Sequence, residues 1–176
     1  MSKIIILASG SGTNAENIIR FFNDRADVEF PLILSNRKDA YVHTRAKKLG
    51  IPSKTFNKEE FHSPEFLEEL KTLNPDLIIL AGFLWLIPAG IVESFPGRII
   101  NIHPALLPKY GGKGMYGLNV HRAVIENGEK ESGITIHYVN ERYDEGNIIY
   151  QAKCPVKQDD SPESLAERVH QLEYEY

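Results

Sequence analysis

The 176-residue sequence is 42% hydrophobic and 25% charged with a formal net charge of −4, a balance that suits a soluble enzyme able to bury one substantial core. It has no basic field for sequence-independent nucleic-acid binding, so no nucleic-acid partner is expected. Cys154 is the only cysteine, which excludes an intramolecular disulfide, a thiolate metal cage and a Cys-x-x-Cys redox pair, and it reads as a small buried side chain on a strand.

The opening MSKIIILASG has too short an apolar run for a secretory signal, and a cytoplasmic location is expected. Apolar runs of strand length then alternate with stretches of helical period, the signature of a parallel sheet covered by helices. Strands are predicted at 3–9, 29–35, 52–57, 76–82 and 98–103. Helices are predicted near Asn14–Asn23, Ala40–Leu49, Pro64–Leu73 and Pro88–Glu93. Ser63 before Pro64 is a helix start, because serine caps free amides and proline suits the first turn. The apolar stretch Leu77–Val92 is shorter than the ~20 residues of a spanning helix and is broken by Gly82 and Pro88, so no membrane partner is expected.

Residues 105–118 are rich in Gly and Pro and lack a period, which predicts a functional loop. A helix near Asn119–Glu126 follows. Two β-rich runs, SGITIHYVN and GNIIYQAKCPV, are joined closely enough to form an antiparallel pair. SPES at 161–164 opens a last helix, and LEYEY ends inside a helical pattern with no stop signal, which leaves room for a further C-terminal segment. The expected fold class is α/β, an open, mainly parallel twisted sheet with helices on both faces and a C-terminal antiparallel pair.

Three places could carry chemistry. SGSGTNA, residues 9–15, joins a strand to a helix, where backbone amides and the helix N-terminus favour phosphate. The same letters satisfy G-x-G-x-x-A, but the second strand ends in Ser35, Asn36 and Arg37 without the acidic residue that holds a ribose, so a dinucleotide reading survives only through Arg37. A tight turn that binds nothing also stays open. The second place is Asn101-Ile102-His103-Pro104, at the carboxyl end of the fifth strand. There alternation puts Asn101 and His103 on one side, and Pro104 holds His103 extended. The third is Asp144 in ERYDEG, a turn residue unless the fold brings it to His103.

The other histidines, His43, His62, His121, His137 and His170, have no metal-ligand spacing, and no metal is expected. With no G-x-S-x-G elbow, noncovalent acid–base chemistry is expected. Four glycines within 109–117 predict a mobile segment that closes over a phosphorylated substrate, with Lys109 or Lys113 near the phosphate.

The stretches ILASGSGTN, SNRKDA, PDLIILAGF, RIINIHPALLPKY, HYVNERYDEG and QAKCPV together resemble the phosphoribosylglycinamide formyltransferase family over almost the whole chain. The N-x-H-P-x-L-L-P run with a downstream D-x-G is specific to folate-dependent formyl transfer and hydrolysis. The resemblance implies a Rossmann-like formyltransferase fold over 1–176 as one domain, with a phosphate- and ribonucleotide-binding half at 1–100 and a catalytic and folate-binding half at 101–176. It implies formyl transfer from 10-formyltetrahydrofolate, as co-substrate, to the amine of 5-phosphoribosylglycinamide in purine biosynthesis, by a monomer or homodimer.

By the same resemblance Gly12, Thr13 and Asn14 bind the substrate phosphate and Glu173 lies near its ribose. The folate lies against Leu84, Trp85, Leu86 and Ile87, with Asn101, Asn140 and Asp144 also contacting it. Asn101 stabilises the oxyanion, His103 is the general acid and Asp144 raises the histidine pKa. The chain departs from the family at Trp85, where many members have arginine, and at Pro64, which replaces a folate-contacting arginine. Related methionyl-tRNA formyltransferases carry a basic second domain and formyltetrahydrofolate hydrolases an N-terminal regulatory one; neither is expected in 176 residues, and SGSGTN favours the small phosphoribosyl substrate.

Overall fold

In chain order the elements are β1 (Ser2–Leu7), α1 (Thr13–Phe21), β2 (Val28–Ser35), α2 (Val42–Lys48), β3 (Ser53–Thr55), α3 (Lys58–Phe61), α4 (Pro64–Leu73), β4 (Leu77–Leu80), α5 (Ala89–Ser94), β5 (Ile99–His103), α6 (Leu118–Glu126), β6 (Glu131–Tyr138), β7 (Ile148–Pro155) and α7 (Pro162–Glu175). The computed structural model describes residues 1–176. They fall into two compact units, Met1–Ile100 and Asn101–Tyr176. Within the first unit the strands run in the hydrogen-bonded order β3-β2-β1-β4.

In the first unit β1 pairs parallel with β2 and β4, and β2 pairs parallel with β3. Ile4, Ile5, Ile6 and Leu7 are all buried, as a strand covered on both faces requires. Ala15 and Ile19 of α1 and Val42 and Ala46 of α2 stand four apart. Each pair turns one helical face onto Ile4, Ile6, Ile33 and Ile79. β4 ends at Leu80, earlier than expected, because the chain turns out of the sheet at Gly82 in the left-handed region (φ 70°).

The predicted start of α4 is present: Ser63 Oγ accepts from the Phe66 amide at 3.2 Å and Pro64 opens the helix. α3 is additional. Asn57 Oδ1 accepts from the Glu60 amide at 2.9 Å and Glu60 Oε2 from the Asn57 amide at 2.7 Å, a reciprocal capping box legible as N-x-x-E.

In the second unit β6 and β7 pair antiparallel, with a bulge between Ile136 and His137. Val124, Ile134, Ala152, Leu165 and Val169 form its core together with Cys154, which is buried as expected. The fold is the expected α/β class, mostly parallel with an antiparallel C-terminal pair. No helix is long and apolar enough to cross a membrane.

Candidate active site

The glycine turn lies where β1 gives way to α1. Gly12 is left-handed (φ 73°) and caps α1. A Cβ there would come within 2.6 Å of Val42 Cβ and 2.9 Å of Val42 Cα, so only glycine allows this approach. Asn57, Ser63 and Ser161 cap α3, α4 and α7 through their side chains, whereas no side chain caps α1. Glu16, in the first turn of α1, is held by Arg20 at 2.8 Å and by a close pair with Arg45. Arg45 also donates to the Ser11 carbonyl at 2.8 Å. The hydrogen bond from Arg45, then that from Arg20, holds the Glu16 carboxyl below its usual range. With that acid neutralised the helix N-terminus keeps its positive end.

The predicted folate wall follows β4. Leu84 is 40% and Leu86 37% exposed, while Ile87 is buried. The Leu84 amide donates to Ser9 Oγ at 3.0 Å, tying the wall to the end of β1. Trp85, one of the two departures, packs edge-on against Phe56 and tilted against Phe61, at 6.0 Å each. Pro64, the other, is the first residue of α4. Trp85 thus belongs to an aromatic cluster with Phe56, Phe61 and Phe83, and Pro64 serves as a helix start.

In the second unit the fold brings Asp144 to His103, the condition on which its reading as more than a turn residue depends. His103 Nδ1 lies 3.4 Å from Asp144 Oδ2. Asn101 Nδ2 lies 3.3 Å from Asp144 Oδ1 and 3.1 Å from His137 Nε2. The Gly112 amide donates to Asp144 Oδ2 at 2.9 Å, and His103 Nε2 is 2.7 Å from the Tyr110 carbonyl. Asp144 has a left-handed backbone (φ 56°), a conformation aspartate tolerates better than most residues. A cavity of about 470 Å³ opens beside it, bordered by Gly111, Gly112, Tyr143 and Glu145. A larger one, about 540 Å³, is lined by Tyr110, Glu129 and Gln151 and by no member of the trio, so size alone is a poor guide here.

His137 is the member that sequence reasoning missed. A carbonyl can only accept, so its Nδ1, 2.9 Å from the Tyr138 carbonyl, carries a proton, while Nε2 lies 3.1 Å from Asn101 Nδ2 and 3.5 Å from Asp144 Oδ1. Thr135 and His137, polar at alternate positions beside the apolar Ile134 and Ile136, are the available signal. Thr135 Oγ1 accepts from the Leu107 amide at 3.0 Å and donates to the Ala105 carbonyl at 2.6 Å, so this face of β6 holds the chain just after β5.

Burial pulls the His103 imidazole below its ordinary 6.5. It outweighs Asp144 and the Tyr110 carbonyl, which raise it, while His137 adds to the lowering. Asp144 thus acts in the expected direction, but the net displacement is downward, because desolvating a buried cation costs more than one carboxylate restores. Burial raises the Asp144 carboxyl. The approach of His137, the charge of His103 and the Gly112 amide outweigh it and leave the carboxyl below its usual range.

Asn140 Oδ1 accepts from the Arg142 amide at 2.9 Å, shaping the loop that carries Asp144. Glu173 is on α7, its Oε2 3.8 Å from His170 Nε2. Lys109, expected near phosphate, is paired with Glu129 at 2.8 Å, and Lys113 is exposed.

Residues 2–176 match the family described as formyl transferase. The chain is 43% identical over 174 residues to a chloroplastic phosphoribosylglycinamide formyltransferase of Arabidopsis thaliana, covering 95% of this chain and 60% of that protein. It is 38% identical over 181 residues to the phosphoribosylglycinamide formyltransferase of Haemophilus influenzae, covering 99% of this chain and 83% of that one. The chain thus spans about three fifths of the plant relative. Its structure resembles the crystal structure of glycinamide ribonucleotide transformylase 1 from Symbiobacterium toebii with a TM-score of 0.88 at 35% identity, over 99% of this chain and 83% of that chain. The chain belongs to the formyl transferase family and, within it, stands with the phosphoribosylglycinamide formyltransferases.

Proposed function

We propose that this chain transfers the formyl group of 10-formyltetrahydrofolate to the amine of 5-phosphoribosylglycinamide, as a cytoplasmic enzyme of purine biosynthesis. The observation that carries the reading is that Asp144 meets both His103, at 3.4 Å, and Asn101, at 3.3 Å, in a chain of this family.

The neutral amine attacks the formyl carbon and forms a C–N bond, and the carbonyl becomes an oxyanion. Breaking the bond to folate N10 then returns the carbonyl, and a proton must reach N10 because a folate amide nitrogen leaves poorly without one. The attacking amine gives up its proton in the same sequence, so the balance is one formyl group moved and one proton relayed. His103, as imidazolium, donates and regains that proton, and Asp144 favours the charged ring. Asn101 stabilises the oxyanion through its amide. Its Nδ2 hydrogens face Asp144 and His137 in the free protein, so one of these bonds is exchanged for the oxyanion when substrate enters.

Gly12, Thr13 and Asn14 hold the phosphate, with Glu173 near the ribose. Leu84, Trp85, Leu86 and Ile87 hold the folate, together with Asn101, Asn140 and Asp144. Support for the phosphate assignment is the α1 start without a side-chain cap and the neutralised Glu16. The test is a steady-state assay of tetrahydrofolate release with and without the ribonucleotide. Release that depends on the ribonucleotide is expected. Equal release in its absence marks a hydrolase, and tight NADPH binding would replace the reading with an oxidoreductase that uses the same glycine turn.

A further inference from the structure

We infer that the segment Tyr110–Gly112 is a positioning strap that fixes the tautomer of His103, leaving Nδ1 as the nitrogen that carries the transferred proton, and that Tyr110 and Glu129 hold the strap in place. The inference rests on the acid–base role proposed above for His103, but its first test needs no turnover.

The strap touches both partners of the acid–base pair. The Tyr110 carbonyl is 2.7 Å from His103 Nε2, and a carbonyl only accepts, so Nε2 bears a hydrogen in the neutral ring and the charged ring alike. Nδ1 is then the nitrogen that gains and loses a proton, and it faces Asp144 Oδ2 at 3.4 Å. Two residues on, the Gly112 amide donates to that same Oδ2 at 2.9 Å, which turns the carboxylate toward the ring. Between them Gly111 packs closely: a Cβ would lie 2.6 Å from Leu107 Cδ2 and 3.1 Å from Asp144 Cβ, so a side chain there would have to displace the leucine and press on the aspartate.

Tyr110 aims its carbonyl by adopting φ 58°, a left-handed backbone that an aromatic residue enters only when its surroundings impose it. The imposing contacts come from Glu129, at the turn after α6. Its Oε1 accepts from the Tyr110 hydroxyl at 2.9 Å and from Lys109 Nζ at 2.8 Å. One carboxylate thus anchors two consecutive residues, and the next carbonyl and amide clip the imidazole and the aspartate. The charged and titratable groups acting on His103 are Asp144 and His137, with His121 coupled to it more weakly. Glu129 is not among them, so it acts on the imidazole only through Tyr110.

The experiment is nitrogen-15 NMR of histidine-labelled protein across a pH titration, in the unmodified chain and in Tyr110→Phe and Glu129→Gln. The unmodified chain should show a neutral His103 protonated at Nε2. In Tyr110→Phe the Nδ1-protonated form should appear alongside it. The His103 titration should move down by about one pH unit, the size expected for weakening one hydrogen bond to a charged group. Glu129→Gln, which keeps an acceptor for the phenol but releases Lys109, should move it less. The alkaline limb of kcat should shift in the same order while both KM values stay within about twofold, the pattern of a change felt only in the transition state.

An Nδ1-protonated neutral ring in the unmodified chain overturns the inference. So do unmoved tautomer and titration in a folded Tyr110→Phe protein. If the NMR result holds and no formyl transfer is detected, the strap stands and the proposed function does not.

Discussion

Replacing Asp144 by asparagine removes a charge at nearly constant shape, and the surroundings set the size of the effect. At 3.4 Å from His103 Nδ1 a full ion pair is worth about 5 kcal/mol at an effective dielectric of about 20. That is an upper figure, since opposite charges at such range displace a pKa by roughly 1–3 units. Burial already outweighs Asp144 at His103 and holds it below its ordinary 6.5, so imidazolium is a minor species at neutral pH even with the carboxylate, and losing the carboxylate makes it rarer still. kcat at pH 7 should fall about 10- to 1000-fold, tenfold for each of those 1–3 units, and the alkaline limb of the pH–rate profile should move to lower pH.

Ribonucleotide KM should change little. A second cost is local: Asp144 accepts from both the Gly112 amide and Asn101 Nδ2, and an asparagine has one oxygen for the two, leaving a donor facing a donor at about 1–3 kcal/mol of stability. The assay is initial rate against pH, with thermal unfolding to confirm the fold. A folded Asp144→Asn enzyme with full kcat and an unshifted profile refutes the reasoning.

Gly12→Ala places a methyl against the Val42 backbone in a left-handed turn and should raise KM for the ribonucleotide far more than for the folate. Equal rises in saturation curves for the two substrates would count against the phosphate assignment. His121 is 2% exposed and burial, its largest cause, brings its pKa to about 4, so the native state resists a proton that the unfolded chain takes up near 6.5. Stability should be level above about pH 6.5 and fall by about 3 kcal/mol as pH drops to about 4. Denaturant titrations of His121→Met should lose that slope, and an unchanged slope would assign it elsewhere. Asp160, its side chain 3% exposed, is gripped by Arg168 Nη1 at 2.7 Å and Nη2 at 2.9 Å. Arg168→Ala should therefore cost about 3 kcal/mol by stranding a buried charge, and a change under about 0.5 kcal/mol in urea unfolding would show the pair to be dispensable.

Much of this molecule was legible because its signals are local. The isoleucine run of β1, the Ser63-Pro64 start of α4 and the glycine turn at 12 each declare themselves within a few residues. Asn101 and His103 could be placed on one side of a strand end by alternation alone. Asp144 could not, since its role depends on a contact across 41 residues of chain, and only the family resemblance pointed to it. His137 has no metal-ligand spacing to draw attention to it, and its place beside Asn101 and Asp144 depends on the pairing of distant strands. The sign at His103 was missed for a different reason. A carboxylate neighbour can be guessed from sequence, but the depth of burial that outweighs it is a property of the packed chain. Trp85 and Pro64, read as departures that bear on folate, sit in an aromatic cluster and a helix start that account for both.

The most direct measurement follows a carbon-13 formyl label from 10-formyltetrahydrofolate in the presence of 5-phosphoribosylglycinamide, with His103→Ala in parallel. The account predicts that the label appears as the formamide of the ribonucleotide and that the His103 variant loses most of the rate. Label recovered as formate, or transferred equally well without His103, would contradict it.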